Sequence, residues 1–337
     1  MGADAEAALT ATLNTAVDLD GAPGLSFGAT RAGRYLAIGG KGRRGPDDAA
    51  TPDADTVFEI GSLTKTFTAG LIFELEAEGR LETSGTIGAY VPDLPEAWRA
   101  RTLASLLSHT SGLPEYLDAG NFMDLMPRDL TPRDLIALAA GKPVDFEPGA
   151  RHAYNNTGFV LLGMAAEAVG GAPYWEQIET RFLRPAGMMR TGPRGRLQLD
   201  ANHAGGRFWN GEIWNDHPPI SAAGSTFSAG GLLSTARDLT HWAIAIDHGV
   251  VLTPHARRQM WRPAYLADGT PAGWGHGWVV ERDDEGHVIV AHGGGTAGFS
   301  CWFRRDIDAE LTTVVLTNQN GRADPLTMTE QLLARLT

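Results

Sequence analysis

Apolar positions recur every three or four residues over long stretches of this chain, and they alternate with polar positions over several shorter ones. The first pattern is typical of helices that bury one face, and the second of half-buried strands. The helical pattern predicts helices over residues 3–17, 66–78, 102–107, 132–140, 158–169, 174–183, 236–247 and 325–336. The alternating pattern predicts strands over residues 24–29, 35–39, 275–281, 288–292, 299–304 and 311–316.

The order of these elements predicts an α+β fold. Strand patterns lie near both ends of the chain, whereas helical patterns dominate residues 81–195. We therefore expect an antiparallel sheet flanked by the N- and C-terminal helices, with residues 1–80 and 225–337 forming an α/β sandwich domain. Residues 81–224 are expected to form a mainly helical domain. Its irregular segment 191–227, rich in Gly, Pro and Trp, would wall a binding site.

Composition narrows the class of protein. The 337 residues include 43% hydrophobic and 20% charged side chains, which is typical of a soluble globule. A net charge of -12 argues against nucleic acid or an anionic membrane as a partner. No stretch approaches the length of a membrane span, and the acidic start lacks the basic and apolar regions of a secretory signal, so a cytoplasmic protein is predicted. The single cysteine, Cys301, excludes an internal disulfide and lies in a run typical of a buried strand.

Ser62 and Lys65 form the first candidate for chemistry. On a helix their spacing places the hydroxyl and the amine on one face, so the lysine could accept the proton of the serine. The chain has only two other lysines, Lys41 and Lys142, and otherwise uses arginine. Arginine stays protonated, whereas a buried lysine can lose its proton near neutral pH. The pattern favours a base at Lys65, although so short a motif also arises by chance.

Tyr154 and Asn156 form the second candidate. They follow a Pro-Gly turn and precede a predicted helix, where a loop could direct the phenol and the amide inward. A tyrosine in this pattern is often structural, so the motif gains weight only beside others.

The run from His292 to Gly295 forms the third candidate. Three consecutive glycines, Gly293, Gly294 and Gly295, end a predicted strand. Missing side chains would let a substrate lie along the strand edge and reach backbone N–H groups, although the glycines equally fit a tight turn.

Aromatic residues provide candidates for a substrate pocket. Trp209 and Trp214 lie in the irregular segment and could line an apolar pocket, as could Tyr116 from the helical side. For Trp274 and Trp278 the simpler expectation is core packing. Metal-ligand spacing is absent among His203, His217, His241, His248 and His255, and the glycine-rich run precedes a strand and not a helix, so we expect no metal and no cofactor.

Together the three motifs resemble those of the serine β-lactamases and penicillin-recognising enzymes. They match in order and rough spacing, and the flanking residues 58–61, 109–113 and 230–239 agree as well. The branch that the chain most resembles holds class C β-lactamases, D-aminopeptidases, DD-carboxypeptidases and family VIII esterases. The resemblance covers about residues 20–320 and implies the β-lactamase/transpeptidase-like fold.

This resemblance implies roles for the candidate residues. Ser62 would be the nucleophile that forms an acyl-enzyme, while Lys65 and Tyr154 would share the proton transfer. Either could be the base: burial is expected to lower the pKa of the lysine, and its ammonium would in turn favour the phenolate. The oxyanion hole would be the N–H groups of Ser62 and Gly295. Asn156 would orient the acyl group and Lys65.

One departure from the family pattern concerns substrate. β-Lactamases usually carry lysine at the third motif, where this chain has His292, a residue largely neutral at pH 7. Capture of a substrate carboxylate should therefore be weak, and we expect little β-lactam hydrolysis. The leading hypothesis is a serine hydrolase of small-molecule esters or amides. The alternatives are a biosynthetic acyltransferase, a ligand-binding protein without turnover, and a DD-peptidase, which conflicts with the missing export signal. Oligomeric state is not predicted.

Overall fold

The computed structural model describes residues 3–16, 23–120, 122–217 and 226–336. Its strands, in chain order, are β1 (Gly24–Arg31), β2 (Arg34–Gly42), β3 (Phe58–Glu59), β4 (Gly192–Pro193), β5 (Arg207–Trp209), β6 (Trp214–Asp216), β7 (Leu232–Ser234), β8 (Val279–Arg282), β9 (Val288–Thr296), β10 (Phe299–Asp306), β11 (Leu311–Thr317) and β12 (Gln319–Asn320).

The helices of the described residues are α1 (Ala3–Ala16), α2 (Thr64–Ala77), α3 (Ile87–Tyr90), α4 (Glu96–Arg99), α5 (Leu103–Leu107), α6 (Phe122–Leu125), α7 (Pro132–Ala140), α8 (Asn156–Gly170), α9 (Tyr174–Ile178), α10 (Phe227–Gly230), α11 (Ala236–Asp247), α12 (Pro254–Met260) and α13 (Pro325–Leu333). Short 3₁₀ turns occupy Gly61–Leu63 and Tyr116–Ala119, and a π-helical turn, Glu179–Leu183, continues α9. No helix in the described ranges is long and apolar enough to cross a membrane.

A six-stranded sheet in the order β2-β1-β11-β10-β9-β8 organises the fold, and every neighbouring pair in it is antiparallel. Side chains alternate between its two faces, so each face has its own apolar cluster. On one face α1 and α13 cover a small cluster that includes Phe27, Val315 and Leu332. On the other face α11 packs against β1 and β11, and Gly28 leaves room there for Thr240.

The large apolar core lies on the α11 side of the sheet and extends into the helical half of the molecule. Helices α2 and α8 run through it, and both are buried over most of their length. Because these two helices begin beside each other at the edge of the core, the residues at their N-terminal ends are held on rigid elements.

The predicted fold class is confirmed: an antiparallel sheet is flanked by the N- and C-terminal helices, with helices dominating the middle of the chain. Both terminal helices lie on the same face of the sheet. Most predicted elements are present with boundaries shifted by a few residues, and β9 runs on through the glycines to Thr296. Val17, the predicted last residue of the first helix, and residues 218–225, which contain the predicted domain boundary, lie outside the described ranges. The division into two domains stays a prediction.

Candidate active site

Ser62 and Lys65 are brought together by the turn that starts α2. Ser62 lies in the 3₁₀ turn and lines a cavity, and Lys65 follows one turn later with its side chain completely buried. The Lys65 Nζ is 3.1 Å from the Ser62 Oγ. The i,i+3 spacing predicted to place both side chains on one face therefore does so.

Lys65 has three hydrogen-bond partners of two kinds. Its Nζ donates to the Asn156 Oδ1 at 2.7 Å and to the Ala229 carbonyl oxygen at 2.6 Å, and both of these atoms can only accept. Ser62 is different because a hydroxyl can accept or donate. A charged Lys65 satisfies all three partners as a donor, and a neutral Lys65 can donate twice and accept the serine proton.

The charge of Lys65 is finely balanced. Burial lowers its pKa to about 7, opposed by the negative charge of Glu115. Both protonation states are therefore populated near neutral pH. A neutral amine held against a serine hydroxyl is the arrangement that general-base catalysis requires.

Tyr154 and Asn156 owe their positions to the start of α8. Asn155 caps that helix: its Oδ1 accepts from the Gly158 N–H at 2.7 Å, and its Nδ2 donates to the Leu113 carbonyl at 2.9 Å. The cap fixes the residues on either side of it. Asn156 then faces Lys65 from the first turn of the helix.

His109 supports the chain on the other side of Tyr154. It adopts a left-handed backbone conformation with φ of 57°, and its Nδ1 accepts from the Asn155 N–H at 3.0 Å. Its carbonyl oxygen accepts from the Ala153 N–H at 2.9 Å. The imidazole also packs on the phenol ring, with centroids 4.4 Å apart. His109 thus supports Tyr154 in two ways: its ring packs on the phenol, and its hydrogen bonds fix the backbone on both sides of the tyrosine.

The Tyr154 phenol meets both members of the Ser62–Lys65 pair. Its phenol lies near the Ser62 side chain, and the Lys65 Nζ lies 4.8 Å from its ring centroid. Tyr154 is 38% exposed as a residue, yet burial of the phenol is the main influence on its pKa, which is raised. The expectation that the lysine would favour the phenolate is not supported: burial has the largest effect on the phenol pKa, so the phenol keeps its proton.

His292 is buried and neutral. Its Nδ1 lies 2.5 Å from the Gly293 carbonyl oxygen, and its ring packs near Trp274 and Tyr154. Burial, and after it the nearby charge of Lys65, lowers its pKa to about 3. The residue is neutral at pH 7 as predicted, but it does not line the cavity. Its place is behind Tyr154, so direct contact with substrate is not supported.

The glycines of β9 serve different purposes. A side chain on Gly294 would place its Cβ 1.9 Å from the Ile60 carbonyl oxygen, and one on Gly293 would strike the Trp302 ring at 2.8 Å. Both glycines therefore allow close packing within the protein, and neither lines the cavity. The expectation that they make room for substrate is corrected accordingly. Gly295 is exposed and does line the cavity.

The end of β9 forms an open edge beside Ser62. Strand β8 pairs with β9 only from Val288 to Ala291, so in the described ranges β9 beyond that point has a partner on one side only. Gly61 approaches so closely that a Cβ there would lie 2.9 Å from the Gly295 nitrogen. The backbone that carries Ser62 and the backbone of Gly295 are therefore adjacent.

A cavity of about 460 Å³ opens in front of Ser62. Its lining side chains within the described ranges are apolar or polar and uncharged. The lining residues are Gly61, Ser62, Leu117, Asn156, Phe208, Trp209, Thr226, Ala229, Gly230, Gly295, Thr296, Ala297, Asn320 and Gly321. None of them is ionisable. The cavity therefore has the character of an acyl-group pocket.

The aromatic candidates separate into three positions. Trp209 lines the cavity, and Trp214 packs edge-on against it from the neighbouring strand, with centroids 5.4 Å apart. Tyr116 is completely buried in the core, so its predicted place in the pocket is corrected. Trp278 is a core residue as expected, whereas Trp274 lies 5.7 Å from the Tyr154 ring and forms part of the site.

Two contributors to the site were not predicted from the sequence. Glu115 accepts hydrogen bonds from Asn156, and Ala229 offers only its backbone carbonyl to Lys65. Both contacts join segments far apart in the chain. A carboxylate two residues after a His-Thr-Ser-Gly-Leu run is the one hint that sequence reasoning could have used.

One group of possible metal ligands exists in the described ranges, at the turn between β8 and β9. Donor atoms of Asp283, His287 and Asp306 lie within 4.8 Å of one another. None of the three lines the cavity in front of Ser62. The Ser62 site itself contains no such set of ligands in the part of the chain that the structure describes.

Comparison with known proteins agrees with this geometry. The family model described as Beta-lactamase matches residues 9–336, so the chain belongs to the beta-lactamase family, whose members are serine hydrolases. The chain is 28% identical to penicillin-binding protein 4* of Bacillus subtilis over 79% of its own length and 61% of that protein. It therefore spans about three fifths of this curated relative.

Two solved structures are similar over nearly the whole chain. A D-stereospecific amidohydrolase from Streptomyces sp. has a TM-score of 0.81 and 28% identity, covering 97% of each chain. The octameric penicillin-binding protein homologue from Pyrococcus abyssi has a TM-score of 0.84 and 26% identity, covering 98% of this chain and 77% of its own.

Proposed function

We propose that this protein hydrolyses small esters or amides through an acyl-enzyme on Ser62. One observation carries the proposal: the Lys65 amine lies 3.1 Å from the Ser62 hydroxyl and is otherwise held by two atoms that can only accept hydrogen bonds. A neutral Lys65 therefore has its lone pair available to the serine. The similarity to an amidohydrolase supports amides as well as esters.

In the proposed first step the Ser62 Oγ attacks the substrate carbonyl carbon while Lys65 takes the hydroxyl proton. The carbonyl oxygen becomes an oxyanion next to the N–H groups of Ser62 and Gly295, whose backbones are adjacent. A preorganised donor of this kind is worth about 3 kcal/mol in the transition state. Because this stabilisation grows as charge develops on the oxygen, it favours the intermediate over the bound substrate.

Collapse of the intermediate breaks the bond to the alcohol or amine, which leaves with a proton. Tyr154 supports this step, since its phenol keeps its proton and lies near Ser62. The Tyr154 phenol can give its proton to the leaving group and take up the proton held by Lys65, whose Nζ lies 4.8 Å from the Tyr154 ring centroid. Water then attacks the acyl-Ser62 ester while Lys65 accepts its proton, and the acid is released as that proton returns to the Ser62 oxygen.

The lining of the cavity supports uncharged acyl groups. Its lining side chains within the described ranges carry no charge, and His292 is neutral at physiological pH. A substrate carboxylate would therefore lose its water without gaining a cation. We expect weak or no β-lactamase activity, because β-lactams carry such a carboxylate.

The test is acylation of Ser62. A fluorophosphonate probe and a panel of p-nitrophenyl esters, a D-alanyl amide and a chromogenic cephalosporin are assayed with the wild type, Ser62→Ala and the exposed control Ser84→Ala. We expect labelling and ester turnover in the wild type and control, loss in Ser62→Ala, and little cephalosporin turnover. Labelling that survives Ser62→Ala contradicts the proposal. Product that shifts wholly from acid to amide when an amine is added would mark an acyltransferase.

A further inference from the structure

Glu115 is a partly buried carboxylate directly behind the Ser62–Lys65 pair. Its Oε1 accepts from the Leu117 N–H at 3.1 Å, which caps the 3₁₀ turn. Its Oε2 accepts from the Asn156 backbone N–H at 2.5 Å and faces the Asn156 Nδ2 at 3.3 Å. One carboxylate thus joins the turn that begins at residue 116 to the first turn of α8.

This contact decides which way the Asn156 amide points. Its NH₂ group faces the Glu115 carboxylate, and its oxygen faces the Lys65 amine at 2.7 Å. The reversed amide would set its oxygen against a carboxylate and its NH₂ against an ammonium, and both contacts would be repulsive. Glu115 therefore leaves Asn156 a single favourable orientation, in which it holds Lys65.

Glu115 is also the negative charge that acts on Lys65. The other ionisable groups around the pair are neutral or remote from the amine. Those that interact electrostatically with Lys65 or Glu115 are His109, His292, Tyr116, Tyr154 and the exposed Asp118. In addition, the Lys142 side chain approaches the Glu115 backbone carbonyl at 3.4 Å. Within this set, Glu115 alone raises the pKa of Lys65, while burial raises the pKa of Glu115 itself.

Building on the proposed function, we infer that Glu115 is a positioning residue for the acylation machinery: its carboxylate orients Asn156 towards Lys65 and keeps the amine basic enough to take the Ser62 proton. Glu115 itself does not line the cavity, but its side chain contacts two residues that do, Leu117 and Asn156. It acts through Asn156 by hydrogen bonding and on Lys65 by charge.

The test compares Glu115→Gln with the matched control Asp118→Asn, which removes the same charge from an exposed position on the same turn. Gln keeps one acceptor oxygen for the Leu117 or Asn156 N–H group and loses the charge and the second acceptor. We expect the acidic limb of the acylation rate to move to lower pH by about one unit and the rate at its plateau to fall roughly 10-fold. Asp118→Asn should leave both unchanged. Glu115→Asp, which keeps the charge on a shorter arm, should lose rate without moving the limb.

A second measurement does not depend on catalysis. The chain has only three lysines, so ¹³C-labelled lysine ε-carbons give few signals, and Lys65→Met identifies that of Lys65. Its titration should move to lower pH in Glu115→Gln and stay in place in Asp118→Asn. An unchanged titration and an unchanged pH–rate profile in Glu115→Gln overturn this inference. Failure of the wild type to acylate at all would instead overturn the proposed function, and the titration would still decide the role of Glu115.

Discussion

At the scale of single residues, the site depends on an amine that is fully buried and still fully hydrogen-bonded in either charge state. Removal from water lowers the pKa of Lys65 to about 7. The three partners of Lys65 then allow the proton to arrive or leave without any of them losing a hydrogen bond. Little rearrangement is needed at the moment of proton transfer, which is what preorganisation means for a general base.

Replacement of this amine should abolish acylation. Arginine stays protonated, so Lys65→Arg removes the base even if the charge is kept. In the wild type, kcat/KM should rise with pH through about 7, because the base acts only after losing its proton. The variant should lack this limb and lose at least about 100-fold in rate. Lys41→Arg is the matched control, and equal losses in both variants would contradict the role of Lys65.

Sequence alone was sufficient for residues whose role depends on local spacing. Ser62 and Lys65 share a helical turn, and Tyr154 and Asn156 flank a helix cap, so near neighbours in the chain indicate their geometry. Glu115 could not be predicted, because its partner lies 41 residues away. Tyr116 was placed wrongly in the pocket because a turn residue can face the core or the cleft with the same sequence pattern.

At the scale of elements, the decisive contact is between β9 and the turn that carries Ser62. Gly294 lies against the Ile60 carbonyl, and Gly61 lies against Gly295. Two backbones can approach so closely only where side chains are missing. The sequence therefore pointed to the correct segment, but Gly293 and Gly294 allow packing between elements and do not make room for substrate.

A methyl group at this contact should separate the two elements. In Gly294→Ala the new Cβ would lie 1.9 Å from the Ile60 oxygen, so the strand must move away from the Ser62 turn. We expect the free energy of unfolding to fall by about 1–3 kcal/mol. The acylation rate should fall by more than this loss of stability alone explains. Urea unfolding and ester turnover measure both.

Gly141→Ala is the control for this change. Gly141 has a φ of -84° and no atom within 4 Å of the added Cβ, so stability should rise slightly or stay constant. Equal effects of the two substitutions would show that the contact at Gly294 does not matter.

Short elements escaped prediction for a physical reason. Strands such as β5 and β6 have three residues each, too few for an alternating pattern to emerge from the sequence. On its other side β5 pairs with β12, more than 100 residues further along the chain, and no local pattern indicates that contact. The long helices and sheet strands carry enough turns or alternations to be recognised on their own.

At the scale of the whole molecule, the main sheet separates two apolar clusters that support different parts of the structure. The large cluster surrounds α2 and α8, which carry the site, whereas the small cluster under α1 and α13 lies on the opposite face. Stability and activity should therefore respond separately to changes in the small cluster.

Leu332→Ala tests this separation. Leu332 is completely buried on α13, and its truncation should lower the free energy of unfolding by about 2–5 kcal/mol. Ester turnover at a temperature where the variant is folded should match the wild type. Leu326→Ala, at a residue of the same helix that is 37% exposed, should change stability by less than about 0.5 kcal/mol. A matching loss of turnover in Leu332→Ala would mean that the two faces are coupled.

The one-sided pairing of β9 beyond Ala291 has a consequence for the protein in concentrated solution. An unsatisfied strand edge invites a second chain to add to the sheet, which is a common route to aggregation. Here the Asn320 side chain, on β12, donates to the Thr296 carbonyl of β9 at 2.5 Å. An added strand would have to displace this contact, so the Asn320 side chain works against self-association at the edge beside Ser62.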